Sequence, residues 1–183
     1  MNLLNECIGA VCWITGLSGA GKSTLAGKVV LSLKELGLDP ILLDGDDLRS
    51  LLGVPSSDFS REERLRLAFV YADLCRYLAS QGFIVVIATI ALFKEIHLWN
   101  RENLGNYYEV FLDVPLSVLQ DRDPKGLYAR FSRGEIRNVA GLDFEVDLPS
   151  SADLVIGVED KNRQETVREI VRKLLEFQVE SVK

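Results

Sequence analysis

The chain has 183 residues and a formal net charge of −6, with 48% hydrophobic and 26% charged residues. This length suggests one domain spanning residues 1–183, and the acidic balance disfavours nonspecific binding to nucleic acid. The longest apolar stretch, residues 83–93, is too short to span a bilayer, so we expect no association with a membrane. No secretory signal is visible, and three cysteines are too few and odd in number for a disulfide framework, which predicts a cytoplasmic protein.

Apolar strands alternate with amphipathic helices along the chain. The predicted strands are residues 11–15, 41–44, 84–89, 108–114 and 153–157. The predicted helices are residues 22–36, 47–52, 61–80, 92–103, 115–121, 126–133 and 163–178. This alternation predicts an α/β fold in which helices cover both faces of a parallel sheet.

A complete phosphate-binding motif follows the first predicted strand. Residues 16–23 read GLSGAGKS, which matches G-x-x-x-x-G-K-[ST] between a strand and a helix. Glycines let the backbone wrap around phosphates, and the helix N-terminus adds a favourable partial positive charge. Lys22 can reach the β- and γ-phosphates, and the Ser23 hydroxyl can ligate Mg²⁺. A chance glycine-rich turn would lack this context, so the motif predicts binding of a nucleoside triphosphate, ATP or GTP.

Two carboxylates follow the second predicted strand. Asp44 and Asp46 flank Gly45, and Arg49 comes three residues later. The carboxyl ends of parallel strands face the ligand crevice, where one carboxylate can orient Mg²⁺ through water and the other can accept a proton from an acceptor hydroxyl. Arg49 can hold an anionic group on that acceptor. An Asp-rich turn that caps a short helix is the alternative interpretation.

Two other helices offer fewer candidates for chemistry. The sole histidine, His97, has no cysteine at metal-ligand spacing, so we expect no structural zinc and a position on a helix surface. In the last predicted helix, apolar residues recur at helical spacing from Val167 to Leu175, and Asn162 stands where an N-cap would. That stripe predicts core packing.

A basic segment lies between residues 122 and 137, where five basic residues outnumber two acidic ones. A solvated helix face is one interpretation of this charge. Because the same chain carries a phosphate-binding motif, we favour a mobile basic flap that closes over a polyanionic ligand.

Four segments of the chain form a recognisable series. They are GLSGAGKST at residues 16–24, DGDDLR at 44–49, EVFLDVP at 109–115 and RDPKGLYARFSRGEIRNVAGLD at 122–143. In these motifs and their order the chain resembles the adenylylsulfate (APS) kinase family, which uses ATP and Mg²⁺ to phosphorylate the ribose 3′-hydroxyl of adenosine 5′-phosphosulfate in sulfate assimilation. The resemblance implies a three-layer P-loop NTPase fold with a five-stranded parallel sheet and a mobile basic lid at about residues 122–143.

The resemblance also implies roles for individual residues. Lys22, Asp44 and Asp46 stand at catalytic positions, and Ser23 stands at the Mg²⁺ ligand. The implied ATP-binding positions are Gly16, Leu17, Ser18, Gly19, Ala20, Gly21, Lys22, Ser23, Thr24 and Arg122. The implied acceptor-binding positions are Asp46, Arg49, Phe59, Arg64, Ile90, Lys125 and Arg137. The implied partner is a nucleotide acceptor, with a homodimer as an open alternative to a monomer.

The chain departs from the family pattern on the acceptor side. The positions where the family carries an asparagine, two arginines, a serine and a phenylalanine are here Leu67, Phe69, Val70, Ala91 and Val139. Residues 99–103 add a polar cluster that either rebuilds the acceptor pocket or merely packs its own helix. Losing one cationic partner typically costs on the order of 1.5–3 kcal/mol, whereas the motif at residues 16–23 is intact.

We therefore predict a kinase that retains its phosphotransfer machinery and has an altered acceptor pocket. APS is the default acceptor, although we expect it to be a poor substrate or to bind unusually. The alternative is the same chemistry on another nucleotide, such as cytidine diphosphoramidate in surface-polysaccharide modification. A non-catalytic nucleotide-binding regulator is disfavoured, because it would not need both Asp44 and Asp46 beside Lys22.

Overall fold

A five-stranded parallel sheet forms the centre of the computed structural model, which describes residues 9–54, 60–158 and 163–180. The strands are β1 (Ala10–Gly16), β2 (Ile41–Asp44), β3 (Ile84–Thr89), β4 (Asn106–Asp113) and β5 (Leu154–Gly157). Their spatial order is β2-β3-β1-β4-β5, and every neighbouring pair is parallel. The predicted five-stranded parallel sheet is confirmed, and its strands end at one common edge.

Helices cover both faces of the sheet. In chain order they are α1 (Lys22–Glu35), α2 (Gly45–Leu51), α3 (Arg61–Ser80), α4 (Lys94–Asn103), α5 (Leu116–Arg122), α6 (Leu127–Ser132) and α7 (Arg163–Glu180). None of the helices in the described ranges is long and apolar enough to cross a membrane. Phe59 and Asn162, two residues singled out in the sequence, lie outside the described residues.

Alternating side chains of β1 divide the core into two layers. Ile14 packs in the layer that contains α1 and α7, and Trp13 packs in the layer that contains α3 and α4. Both side chains are fully buried, as a strand covered on both faces requires. This is the three-layer arrangement that the alternation of strands and helices predicts.

Four helices begin one or two residues away from their predicted starts, and side-chain caps explain the two larger differences, those of α2 and α4. α2 begins at Gly45 rather than at residue 47, because the Asp44 side chain accepts a hydrogen bond from the Asp46 backbone N–H at 2.9 Å. α4 begins at Lys94 rather than at residue 92, because the Asp147 carboxylate accepts from the Lys94 backbone N–H at 3.1 Å. The second cap comes from a residue 53 positions away, which local patterns do not reveal.

α3 begins with a reciprocal cap that fixes the start of the helix. The Ser60 hydroxyl accepts from the Glu63 backbone N–H at 3.2 Å, while the Ser60 backbone N–H donates to the Glu63 carboxylate at 3.1 Å. The same first turns carry Arg61 and Arg64, two cations whose contacts recur below.

We predict that the packing of α7 contributes strongly to stability. Leu174 is fully buried in the layer shared with α1, so Leu174→Ala should lower the free energy of unfolding by about 2–5 kcal/mol. Urea denaturation followed by circular dichroism measures this change. Arg172→Ala, on the exposed side of the same helix, is the control and should change stability by less than about 0.5 kcal/mol. Equal effects of the two substitutions would contradict the assigned core.

Candidate active site

The phosphate-binding motif forms the turn between β1 and α1. Gly19 and Gly21 have φ angles of 80° and 99°, the left-handed region that favours glycine, and Gly21 leads directly into α1. A Cβ atom at Gly16 would lie 2.8 Å from the carbonyl oxygen of Leu112, so the turn packs tightly against β4. The first backbone N–H groups of α1 therefore point into the cleft from a rigid position, which suits a phosphate group.

Lys22 folds back over this turn. Its Nζ donates a hydrogen bond to the carbonyl oxygen of Leu17 at 2.8 Å. Burial and the nearby Lys125 lower the pKa of Lys22 to about 8, although Asp46 and Asp44 act in the opposite direction. The ammonium group is thus partly withdrawn from water, where its charge acts more strongly on an anion than on the open surface.

Asp44 joins the phosphate turn to α2. Its Oδ2 accepts a hydrogen bond from the Ser23 hydroxyl at 2.5 Å, and its Oδ1 accepts the α2 cap from the Asp46 backbone N–H. A hydroxyl and a carboxylate side by side are hard oxygen donors of the kind that Mg²⁺ takes together with phosphates and water. The donor set therefore fits a magnesium ion held between Ser23 and Asp44.

Asp46 lies between two cations. It forms ion pairs with Arg49, one turn further along α2, and with Lys125, whose Nζ donates to Asp46 Oδ2 at 2.6 Å. Burial raises the pKa of Asp46, but Lys125 and Arg49 outweigh it and bring the pKa below its usual value. Asp46 is therefore ionised at neutral pH. It becomes a stronger proton acceptor only when one of these cations moves away.

The basic segment contacts the phosphate turn through α6 and the residues before it. Asp123, with φ of 22°, accepts hydrogen bonds from the backbone N–H groups of Tyr128 and Ala129 at 3.1 and 2.9 Å and so begins α6. The Tyr128 hydroxyl then donates to the carbonyl oxygen of Ser18 at 2.9 Å. Together with the contact between Lys125 and Asp46, this places residues 122–143 across the mouth of the site. Its mobility stays a prediction.

A cleft of about 960 Å³ runs from the phosphate turn toward α3 and the segment after the basic region. Many of the sequence-predicted site residues line it: Ser18, Gly19, Ala20, Gly21, Lys22, Ser23, Thr24, Asp44, Asp46, Arg49, Arg64, Ile90, Arg122, Lys125 and Arg137. Gly16 and Leu17 are not among the lining residues. The Leu17 side chain packs close to the backbone of Gly141. The chain thus brings together in one cleft residues separated by more than 100 positions.

Three of the arginines that line the cleft stand at the predicted acceptor-binding positions: Arg49, Arg64 and Arg137. Arg64 donates to the carbonyl oxygen of Asn138 at 2.7 Å, and its guanidinium carbon lies 4.8 Å from the centre of the Phe144 ring. The ring of Phe144 meets that of Phe93 edge to face, with 6.1 Å between the ring centres. The cleft around Arg64 therefore offers both cations and aromatic surface.

The positions that depart from the family pattern divide into two groups. Leu67, Ala91 and Val139 line the cleft. Phe69 instead packs edge to face on Trp99 at 5.9 Å, and Val70 is 40% exposed, and neither lines the cleft. Only one of the three changes on α3 therefore alters the wall of the cleft.

The polar cluster at residues 99–103 does not rebuild the pocket, contrary to one of our two expectations. Asn100 donates to the Tyr107 hydroxyl at 3.3 Å, and Arg101 donates to Asp153 at 2.8 Å. These contacts fasten α4 to β4 and to the segment before β5, and the cluster does not line the cleft. The expectation that His97 lies on a helix surface is also wrong, because His97 is only 9% exposed.

Sequence reasoning missed several residues of the cleft. Tyr71, Phe93, Phe144 and Val146 line it, and the Tyr71 hydroxyl donates to the Gly45 carbonyl oxygen at 3.2 Å. No motif marks these positions, although an aromatic residue directly after the basic segment was a visible signal for Phe144. Phe59 lies outside the described residues, so its predicted role stays a prediction.

Known proteins of one family resemble this chain along nearly its whole length. The model of the adenylylsulphate kinase family matches residues 8–157. A cytidine diphosphoramidate kinase from Campylobacter jejuni is 41% identical over 165 residues, which cover 90% of this chain and 95% of the relative. An adenylyl-sulfate kinase from Pseudomonas aeruginosa is 40% identical over 166 residues, which cover 88% of this chain and 83% of the relative.

Solved structures agree with this family. The Mycobacterium tuberculosis APS kinase, in complex with AMPPNP and APS, has a TM-score of 0.82 to this chain at 35% identity. The match covers 92% of this chain and 98% of the other. The similarity therefore extends over the sheet, the phosphate turn and the cleft, while the two curated relatives are named for different acceptors.

We predict that Lys125 controls the ionisation of two residues in the cleft. Lys125→Gln removes a like charge beside Lys22 and an opposite charge beside Asp46, so the pKa of both residues should rise. Nuclear magnetic resonance titration of the Lys22 amine and the Asp46 carboxyl measures both changes. Lys28→Gln, on the exposed surface of α1, is the control and should leave both values unchanged. Unaltered titrations in Lys125→Gln would contradict the electrostatic arrangement described here.

Proposed function

The chain belongs to the adenylylsulphate kinase family, and we propose that it transfers the γ-phosphoryl group of ATP to the ribose 3′-hydroxyl of a nucleotide in an Mg²⁺-dependent reaction. The observation that carries this proposal is the convergence of Lys22, Asp44 and Asp46 in one cleft with Arg49, Arg64 and Arg137. A protein that only bound nucleotides would need the phosphate turn alone. The additional arginines suit an anionic acceptor.

The phosphate turn and its surroundings bind the donor in this proposal. Residues 16–24 and Arg122 surround the phosphates of ATP, and Lys22 stabilises the charge that develops on the transferred group. Ser23 would hold Mg²⁺ with its hydroxyl and Asp44 would orient it through water, and the ion would supply positive charge beside the donor phosphates. The partly buried position of Lys22 makes its ammonium group a strong electrostatic partner there.

Asp46 acts as the general base on the acceptor side. It accepts the proton of the 3′-hydroxyl while the hydroxyl oxygen forms its bond to the γ-phosphorus and the bond to the β-phosphate oxygen breaks, releasing ADP. Two cations at Asp46 oppose this step, because they stabilise the carboxylate against protonation. Incoming phosphates compete for Lys125, and the loss of its contact raises the basicity of Asp46. Donor binding thus makes Asp46 a stronger base.

The acceptor binds in the half of the cleft that carries Arg49, Arg64 and Arg137. We propose that these cations hold its phosphate groups, with Lys125 serving donor and acceptor alike, while Ile90 and Phe59 contact its base and sugar. Apolar and aromatic surface around Leu67 and Phe144 suits a nucleobase. The homodimer stays a prediction.

Adenosine 5′-phosphosulfate is the default acceptor, in line with the family and with the Pseudomonas relative. Cytidine diphosphoramidate is the second candidate, and two observations favour it. The Campylobacter relative named for that substrate is 41% identical over 90% of the chain. In addition, Leu67 and Val139 give the cleft wall apolar side chains where the APS kinase pattern has a polar amide and an aromatic ring.

A comparison of acceptors tests the proposed function. Purified protein with ATP and Mg²⁺ is given adenosine 5′-phosphosulfate, cytidine diphosphoramidate or a simple nucleotide, and mass spectrometry identifies the 3′-phosphorylated product. A true substrate should reach a kcat/KM of about 10⁴–10⁸ M⁻¹s⁻¹. Hydrolysis of ATP without product on any acceptor would contradict the kinase assignment.

We predict that Asp46→Asn lowers kcat by about 10²- to 10⁴-fold and leaves the KM for ATP nearly unchanged, because the substitution keeps the shape and removes the base. Lys22→Ala should cost about 10²- to 10³-fold through loss of charge stabilisation. Steady-state kinetics with saturating acceptor measures both. Asp47→Asn, on the adjacent position of α2, is the matched control and should remain active. Full activity of Asp46→Asn together with an inactive Asp44→Asn would reverse the two roles.

We further predict that Phe144 contacts the acceptor base. Phe144→Leu should raise the KM for the acceptor about 5- to 100-fold, from the usual 1–3 kcal/mol of one base–aromatic stack, with the KM for ATP unchanged. Phe69→Leu removes an aromatic ring of α3 that lies outside the cleft and is the control. An acceptor KM that responds equally to both substitutions would point to a general loss of stability instead.

A further inference from the structure

The sole histidine of the chain lies in a buried polar network away from the phosphate turn. His97 of α4 is 9% exposed and contacts Glu109 of β4, which is 2% exposed. Its Nδ1 lies 2.8 Å from Glu109 Oε1, and its Nε2 lies 3.1 Å from the carbonyl oxygen of Asp147. The ring thus bridges the sheet to the segment that follows residues 122–143.

Both partners of the ring are hydrogen-bond acceptors. A backbone carbonyl oxygen carries no hydrogen, and the Glu109 carboxylate is an acceptor when ionised. A neutral imidazole has one N–H and one lone pair, so it can satisfy only one of these two contacts. The geometry is that of an imidazolium ion that donates from both nitrogens.

The neighbours of Glu109 favour this charged form over a protonated carboxyl group. The Tyr107 hydroxyl donates to the same Oε1 atom at 3.1 Å, and Arg101 donates to Oε2 at 3.3 Å. Both donors stabilise an ionised carboxylate. The charged and titratable groups around the contact are Glu109 and Tyr107 of β4, Arg101 and Glu95 of α4, Arg61 of α3, and Asp147 and Asp153 of the segment before β5.

Asp147 holds the end of the cleft wall. Its backbone N–H donates to the Leu92 carbonyl oxygen at 3.0 Å, and its carboxylate accepts from the Lys94 backbone N–H and from Arg61 at 3.1 and 3.3 Å. The wall itself consists of Phe144 and Val146, which line the cleft directly before it in the chain. The contact between His97 and the Asp147 carbonyl oxygen differs from the other contacts, because its hydrogen-bond donor is a titratable ring.

We propose that His97, as an imidazolium ion, is a positioning residue for the acceptor half of the cleft. Its contact with the Asp147 carbonyl oxygen holds residues 144–147, and deprotonation keeps the hydrogen bond to Glu109 and releases the one to Asp147. Acceptor affinity then falls as the ring loses its proton, whereas donor affinity does not depend on the protonation state of the ring. The assignment of this half to the acceptor rests on the proposed function, whereas the anchoring of residues 144–147 does not.

The protonation state is measured directly, because one histidine gives one set of ring signals. Protein labelled with ¹⁵N and purified without a histidine tag should show both ring nitrogens protonated at neutral pH, and a neutral ring with the proton on Nδ1 after deprotonation. A neutral ring at neutral pH, or a proton on Nε2 after deprotonation, would overturn the proposal.

The positioning role is tested with His97→Gln and a matched control. Asn100→Ala removes another buried polar side chain of α4 that contacts Tyr107 and not Asp147. By hydrogen exchange at one fixed pH, His97→Gln should lose protection at residues 144–148 and retain it at residues 16–23, and Asn100→Ala should retain both. Unchanged protection at residues 144–148 in His97→Gln would contradict the role, whether or not the protein is a kinase.

Kinetics connects this anchor to the acceptor. The KM for whichever of adenosine 5′-phosphosulfate and cytidine diphosphoramidate is turned over should rise about three- to tenfold in wild-type protein as the ring deprotonates, which corresponds to one hydrogen bond. In His97→Gln the acceptor KM should be raised by the same factor at every pH, and the KM for ATP, which follows the titration of Lys22, should depend on pH alike in wild type and His97→Gln. An acceptor KM with the same pH dependence in wild type and His97→Gln would refute the proposal. Absence of turnover on both acceptors would contradict the proposed function alone, since the exchange result stands without it.

Discussion

The carboxylate of Asp44 holds the two halves of the candidate site together. One oxygen accepts from the Ser23 hydroxyl at the start of α1, and the other caps α2. The phosphate turn and the helix that carries Asp46 and Arg49 are therefore fixed to each other through one side chain. Because strands β1 and β2 are parallel and separated by β3, the common edge of the sheet brings their ends close but does not orient them. The shared carboxylate supplies that orientation.

Charge balance governs what this fixed arrangement can do. Lys22, Lys125 and Arg49 lie beside two carboxylates, and the pKa values of Lys22 and Asp46 depend on these charged neighbours. A polyanionic donor changes the balance, because it attracts the lysines and leaves the base with fewer cations. The contact between Lys125 and Asp46 thus connects the position of residues 122–143 to proton transfer. A lid that only excluded water would need no ion pair with the base.

The donor half was predictable from the sequence because it is built from neighbours in the chain. Residues 16–24 form one turn, and Asp44 and Asp46 lie within one helix start, so spacing alone indicates their relation. The same is true of the sheet, since its buried strands are short apolar runs between amphipathic helices. The larger errors in predicted helix starts, two residues each at α2 and α4, arose where a side-chain cap decided the boundary.

The acceptor half was predicted less well, because its wall is held by contacts between distant residues. Phe144 packs against Phe93, 51 positions earlier in the chain, and Asp147 is held by Arg61 and His97. His97 looked like a surface residue because its helix is amphipathic, and nothing near it in sequence showed that Glu109 is a buried carboxylate. Likewise, Asn100 and Arg101 looked available to a ligand until β4 supplied their partners.

This difference between the halves has a consequence for how such a kinase changes its acceptor. A substitution in residues 16–24 disturbs backbone geometry and the proposed metal ligand at once, so the donor half tolerates little change. A substitution at Leu67 or Val139 alters one patch of the cleft wall and changes no residue of the phosphate turn. The wall at residues 144–147 is anchored from outside the cleft, through Asp147, so the side chains of Phe144 and Val146 can vary without loss of the anchor. Acceptor recognition is therefore the part of the molecule that can diverge while the phosphotransfer machinery is kept.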